Sequence, residues 1–366
     1  MRDEGPPGAG NRFDERDTMF ARMARRAGTP AYEDYYSRRP ELRKADDRIR
    51  SMPGLCRPGG RHYHPEISKE AEAFFDDIPD LEPESALVRE WAAKLKGAAR
   101  PTATVEEMIR ALGAAAVGSA PVDETFVYTH KGRHDEGYGR EVDLHHPTAI
   151  VFLVEMDFEA MQRAPGAETI RESARQYYRG AVISKTVAAV LEACGFEAKS
   201  HHDACYDVIL PPLAVRAGLG ELGRHNILIA DRFGSRVRIG AVTTTLELEH
   251  GAPVDLGADH FCTLCRKCAV NCPSHALSLD EKEDVRGVAK WPTNVERCYG
   301  YWRTVGTDCG ICMAVCPFSH RNNAFHSLVR RLVRLAPWTH RMAVWFDDLV
   351  YGRRWNPGAP TGVKEV

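Results

Sequence analysis

The clearest periodic signal in the chain runs from residue 168 to 194. There ETIRESARQYYRGAVISKTVAAVLEAC puts Ile170, Ala174, Tyr177, Ala181, Ala188 and Leu191 on one helical face, and Gly195 supplies a stop. Upstream, TVEEMIRALGAAAVG predicts a helix with Thr102 or Thr104 as N-cap and Gly113 near its end. Two short apolar runs rich in β-branched residues, FVYTH and TAIVFLVEM, predict buried strands. VRIGAVTTTLEL, residues 237–248, predicts another strand, with Arg236, Arg238, Gly240 and Val242 on one side. Residues 14–100 have no strong period, and their prolines predict short helices joined by turns, a covering unit without its own core. Residues 326–353 read as an amphipathic helical tail broken near Pro337, and the Gly/Pro-rich residues 1–13 read as disordered. Helices and strands arranged around one sheet predict the α+β class. The expected units are 14–100, 101–256, 257–325 and 326–366.

Composition narrows the picture only slightly. In 366 residues, 43% are hydrophobic and 27% charged, which is ordinary for a globular chain of two or three domains. A net charge of −2 gives no reason to expect nucleic acid or an anionic membrane as partner. No run approaches the ~18 apolar residues of a membrane-spanning helix. Arg25-Arg26 is a twin arginine, but no apolar stretch follows it, so export is not expected and the protein is read as cytoplasmic.

The cysteines carry the chemistry. Among the 11, Cys262, Cys265, Cys268 and Cys272 lie in HFCTLCRKCAVNCP, the C-x2-C-x2-C-x3-C-P run of bacterial ferredoxins. A second run, DCGICMAVCP, holds Cys309, Cys312 and Cys316, and the upstream Cys298 completes it. In such runs the last thiolate crosses to the other cluster. One [4Fe–4S] cluster is therefore assigned to Cys262, Cys265, Cys268 and Cys316, and the other to Cys298, Cys309, Cys312 and Cys272. Zinc would instead favour two separated knuckles. The remaining Cys56, Cys194 and Cys205 show no paired spacing, which argues for a reducing compartment. Two clusters form an electron wire, so a second cofactor is expected upstream.

GLGELG at 218–223 spells a dinucleotide fingerprint in the wrong context, because PPLAVRA before it predicts a short helix and not a strand. Gly218, Gly220 and Gly223 are instead expected to let the backbone approach something bulky and flat.

AGLGELGRHNILIADRFGSRVRIGAV, FCTLCRKCAVNCP and CYGYWRTVGTDCGICMAVCP together resemble the cobalamin-dependent reductive dehalogenases. ERDTMFARM, DYYSRRPE, DDRIRSMPGL, NNAFHSL and YGRRWNP extend the likeness over roughly 14–357. The resemblance implies a nitroreductase-like unit (101–256) holding a base-off corrinoid and a ferredoxin-like unit (257–325) with the two clusters. It implies reductive removal of halide from an organohalide, with a halogenated phenol compatible with Arg238. By the same resemblance Tyr177 matches the proton donor, with Tyr178 adjoining it, Arg238 matches the basic residue beside it, and Trp302 matches an aromatic of the substrate pocket. His202 or Asp203 would supply the polar pocket residue, with His202 near the cofactor. With no fused reductase in this length, an external ferredoxin, flavodoxin or reductase is the expected electron donor. Two other readings compete. One is an epoxyqueuosine-reductase-like enzyme acting on a tRNA base, which would want a basic face and a catalytic Asp. The other is an electron carrier or corrinoid-binding protein without catalysis.

Overall fold

A computed structural model describes residues 12–203, 205–285 and 288–357. The expected disorder of residues 1–13 falls, for 1–11, outside the described residues.

The N-terminal stretch is helical where its prolines start turns: α1 (Met19–Ala24), α2 (Pro30–Arg38), α3 (Pro40–Arg50), α4 (Pro65–Asp77) and α5 (Ser85–Lys96). Proline opens α2, α3 and α4, where its missing N–H costs nothing. The same rule corrects one expectation. α6 (Pro101–Ala111) starts at Pro101, so neither Thr102 nor Thr104 caps it; both lie inside the first turn.

A four-stranded antiparallel sheet follows, in the order β1 (Ala116–Pro121), β2 (Thr148–Glu155), β6 (Val237–Thr244), β3 (Ala198–His201). β2 is buried along Thr148–Val154 because both faces of the sheet are covered. On one side, α8 (Ala167–Ala193), which follows the one-turn α7 (Phe158–Met161), packs Ile183, Val187 and Leu191 on Ile150, Phe152 and Val154. On the other, α9 (Leu210–Arg216) packs Leu213 and Ala214 on Ala149, Val151 and Leu153. Each of the valine, leucine, isoleucine and phenylalanine side chains among them gains roughly 1.5–3 kcal/mol from burial. α8 matches its predicted limits within a residue, and Gly195 stops it at φ +93°.

Other expectations fail in the sheet. FVYTH is no strand: Glu124–Phe126 is a single 3-10 turn, and Val127 makes one isolated bridge to Val208. β1 and β3, short and poor in β-branched residues, gave no periodic signal. The predicted strand 237–248 ends at Thr244. Its alternation holds, however. Arg238, Gly240 and Val242 pair with Val154, Phe152 and Ile150 on the α8 side, while Arg236 lies just before the strand.

Beyond the small ribbon β4 (Glu221–Leu222) and β5 (Leu228–Ile229), the cysteine region is built from α10 (Ala258–Cys265), α11 (Lys267–Val270), a β7–β8 hairpin (Glu283–Val285, Val288–Lys290), α12 (Val295–Val305) and α13 (Ile311–Ala314). The tail is two helices, α14 (Ala324–Leu335) and α15 (His340–Tyr351), broken at Pro337 as predicted. Their inner side chains Val329, Val333, Ala343 and Val344 pack with Cys262, Cys265 and Cys316, which makes them part of the cysteine region's core.

Candidate functional site

Arg266 holds a left-handed φ of 54° between α10 and α11, and this kink lets Cys265 and Cys268 face one space. Cys262, Cys265, Cys268 and Cys316 line a single cavity of about 290 Å³. Burial pushes the Cys262 thiol up to about 11 and Cys265 up to about 12, so the anionic ligand form needs a bound cation. The buried Arg224 sits at this cavity, held by the carbonyls of Cys262 (3.2 Å) and Ser278 (2.9 Å). Cys298, Cys309, Cys312 and Cys272 form the other group. Burial, reinforced by the neighbouring cysteines, lifts Cys298 to about 11 and Cys309 to about 12, and Cys312 interacts with Cys309, Cys298 and Cys272. Backbone N–H groups point at sulfur, as when Ala276 donates to Cys272 Sγ at 3.3 Å. Among the described residues no three His, Cys, Asp or Glu side chains converge tightly enough for a single metal ion. Thiols spread around a void suit a multi-iron cube better than one zinc.

A second space lies between α8 and β6. It is narrow and lined by Tyr177, Gly180, His202, Asp203, Arg238 and Gly240 among others. The strand and helix periods bring these together: Arg238 and Gly240 point off one face of β6, and Ser173, Tyr177 and Gly180 recur every three or four residues on α8. The Arg238 guanidinium lies over the Tyr177 ring, 4.8 Å from its centroid. Arg238 Nη2 donates to Ser173 Oγ (2.5 Å) and to Asp308 Oδ2 (2.8 Å), and Ser173 donates to the same carboxylate. Asp308 immediately precedes Cys309, so the chamber and the second thiol group are joined by one ion pair and one peptide bond. Arg238 Nε and Asp308 Oδ1 are buried without a partner. A Cβ at Gly180 would meet nothing within 4 Å, so mid-helix α8 opens onto free space.

Burial raises the Tyr177 phenol above its ordinary 10.0; Arg238 and Arg133 oppose the rise, while Asp203 and Asp308 reinforce it. Burial works to lower the Arg238 pKa, but Tyr177 and Asp308 hold it above the ordinary value. Arg133 extends the network, pairing with Asp203 at 3.3 Å and lying over the Phe20 ring at 4.8 Å. Burial holds the His202 imidazole in its neutral form.

The 4Fe-4S dicluster domain family matches residues 261–320. A tetrachloroethene reductive dehalogenase of Desulfitobacterium hafniense is 30% identical over 322 residues, which cover 75% of this chain and 57% of that protein. The solved structure of the catabolic reductive dehalogenase NpRdhA in complex with 3-bromo-4-hydroxybenzoic acid superimposes with a TM-score of 0.70 at 26% identity, covering 92% of this chain and 46% of that one. This chain is a homologue of the reductive dehalogenases. It spans about half the length of the relatives it matches. An epoxyqueuosine reductase of Lactococcus garvieae is 32% identical over 120 residues, only 31% of this chain.

Against this background the predicted residues of the homologue sort as follows. Tyr177 and Arg238 meet in the chamber with His202 and Asp203. Tyr178 does not: its ring packs on Phe74 of α4 at 5.6 Å, one residue turning it to the other side of α8. Trp302 is outside the chamber wall, between Phe20 (6.1 Å) and Tyr299 (5.7 Å) and beside the second thiol group. The three glycines approach the chain itself. A Cβ at Gly218 would stand 2.5 Å from the Ala252 carbonyl oxygen, one at Gly220 2.2 Å from that of Ile229, and one at Gly223 2.7 Å from the His225 ring. Internal packing accounts for their missing side chains. A guanidinium beside a phenol would by itself lower the phenol's pKa, but at Tyr177 desolvation outweighs Arg238. Asp308, Ser173, Arg133 and Arg224 were missed. Asp308 alone had a signal, an acid fused to a cluster cysteine.

Proposed function

We propose that this homologue removes halide from a halogenated phenol or related aromatic by reduction. It would use a base-off corrinoid reduced through two [4Fe–4S] clusters, ligated as Cys262, Cys265, Cys268, Cys316 and as Cys298, Cys309, Cys312, Cys272. Residues 101–256 form the nitroreductase-like unit of this reading and 257–325 the ferredoxin-like one. Electrons come from an external ferredoxin, flavodoxin or reductase in the reducing cytoplasm. The observation that carries the reading is a phenol and a guanidinium sharing one buried chamber, with the guanidinium paired to a carboxylate next to a cluster thiol. Gly180, where a Cβ would meet nothing within 4 Å, and the unpartnered Arg238 Nε fit a large group lying across the chamber mouth, with His202 facing it. When bound, the corrinoid supplies a strongly reducing, nucleophilic cobalt.

The balance is one organohalide, two electrons and one proton in, one C–H bond and one halide out. Tyr177 keeps its proton at rest because burial disfavours the phenolate. As that proton leaves for the ring carbon, the Arg238 guanidinium above the Tyr177 ring stabilises the phenolate, and Asp308 and Ser173 fix the guanidinium. Trp302, with Phe20, walls the approach.

The test is anaerobic reconstitution with iron, sulfide and cobalamin, followed by halide release from 3-bromo-4-hydroxybenzoate. Tyr177→Phe should lower turnover ~10²–10⁴-fold with cobalt and iron contents unchanged. Unaltered turnover in Tyr177→Phe would remove its role as acid. Protein that binds iron and no cobalamin would remove the enzyme.

A further inference from the structure

The two C-terminal helices carry an apolar face that the described residues leave uncovered. Of the twelve large hydrophobic side chains most exposed in the structure, nine lie between Phe325 and Leu349. On α14, Phe325, Leu328, Leu332 and Leu335 recur at helical spacing, and on α15 Met342, Trp345, Phe346 and Leu349 do the same. Trp338, in the link, is 80% exposed, and Trp345 is 64% exposed. The Phe325 and Phe346 rings approach to 6.1 Å, so the two stripes form one platform. Four aromatics of ~150–250 Å² each, about half exposed, with five aliphatic neighbours give an area on the order of 1,000 Å². The largest patch on a typical soluble monomer is ~300–600 Å².

The fold does not need this face. The inner side chains of both helices already cover Cys262, Cys265 and Cys316, and Lys267 bonds Asp347 while His340 donates to the Val333 carbonyl at 2.8 Å. The charge around the platform is one-sided. From Phe318 to Leu349 there are five arginines against two acids, Asp347 and Asp348, both paired with Lys267, and Arg331, Arg334 and Arg341 are exposed. The whole-chain charge of −2 conceals this local excess.

We propose that α14 and α15 lie flat on an anionic lipid surface, with Trp338 and Trp345 in the headgroup layer and Arg331, Arg334 and Arg341 against lipid phosphates. Tryptophan, leucine and phenylalanine on one side with arginines at the edge is the pattern of interfacial helices. A second copy fits worse, because a symmetric pairing sets one arginine rim against another. A transient protein partner fits worse too, since such interfaces are only ~57% apolar. The attachment would hold the Cys262–Cys316 cavity about one helix diameter, ~10–12 Å, from the bilayer. It is independent of the dehalogenase reading.

The test is flotation of the iron-loaded full chain with phosphatidylglycerol/phosphatidylcholine vesicles and with phosphatidylcholine alone. The protein should float with the anionic vesicles only, release as salt rises, and shift its tryptophan emission to the blue. Trp338→Ser with Trp345→Ser should weaken binding at least tenfold. Each of Arg331→Gln, Arg334→Gln and Arg341→Gln should weaken it about fivefold. Iron content should not change in any variant. Absence of vesicle binding overturns the proposal. So does a doubled mass in solution that the tryptophan variants abolish, which gives the face to a second copy. Vesicle binding unaffected by those variants overturns it as well.

Discussion

Arg238 is the residue on which the chamber depends, and its partner decides how it acts. Its guanidinium is tied to Asp308 at 2.8 Å and lies over the Tyr177 ring at 4.8 Å. The negative Asp308 raises the Tyr177 pKa, and Arg238 lowers it. Removing the Asp308 charge therefore leaves Arg238 less compensated and lowers the phenol's pKa. The proton-donating form exists below that pKa, so wild-type turnover should stay flat through neutral pH and fall only above the ordinary tyrosine value. In Asp308→Asn the falling limb should move to lower pH, while Asn keeps an acceptor for Arg238. A pH–rate profile on iron-loaded protein reads this directly, and an unmoved limb would make Asp308 a purely structural neighbour of Cys309. At this scale the sequence was informative where spacing is chemistry, in the cysteine runs, whereas Tyr177 and Arg238 were marked by the family resemblance and not by their spacing. Asp308 and Arg133 could not be picked out, because their roles come from loops that place residues 70 positions apart beside one another, as in both Asp308–Arg238 and Arg133–Asp203. The GLGELG motif misled for a related reason. A glycine is explained by what a Cβ would strike, and here that is the Ala252 and Ile229 carbonyls of distant turns.

Among the elements, α8 does two jobs that pull against each other. Its C-terminal half is a packing helix with Ile183, Val187 and Leu191 in the sheet core. Its middle carries Gly180, which weakens a helix interior by about 0.5–1 kcal/mol relative to alanine. Nothing occupies the space a Cβ would take there, so packing within the chain does not require the glycine. Gly180→Ala should then raise stability by up to about 1 kcal/mol, measured as a higher midpoint in denaturant. If the opening serves a bound corrinoid, the same variant should bind cobalamin more weakly, and unchanged affinity would leave the glycine without a ligand role. The element also shows why some structure was readable and some was not. α8 and β2 are long and bury whole faces, so their periods stand out. β1 and β3 have six and four residues, and β3 pairs only with β6, so tertiary pairing and not local preference makes them strands.

For the whole molecule, the N-terminal helices are fastened to the cysteine region as well as to α8. Arg22 on α1, nearly fully buried, pairs with Asp46 of α3 at 2.6 Å and with Glu296 of α12 at 2.7 Å. Burial works against the Arg22 charge, but the two carboxylates hold its pKa above the ordinary value. Beside it, Arg303 of α12 donates to the carbonyls of Arg50 (2.9 Å) and Met52 (2.8 Å). The Gly60 and Gly306 backbones touch closely enough that a Cβ on Gly60 would stand 2.8 Å from the Gly306 Cα. α12 begins three residues before Cys298, so this fastening fixes the helix that carries one thiol of the second group. Asp46→Ala strips the buried guanidinium of its main partner, a change that typically costs ~3–5 kcal/mol. The loss should not stay in the N-terminal helices. As α12 loosens, iron at the Cys298 group should become easier to remove with a chelator, while iron held by the Cys262 group, locked by Lys267 and Asp347 on the far side, should not. Equal loss of iron from both groups would mean that the cysteine region unfolds as one unit and that the N-terminal helices do not support one cluster in particular.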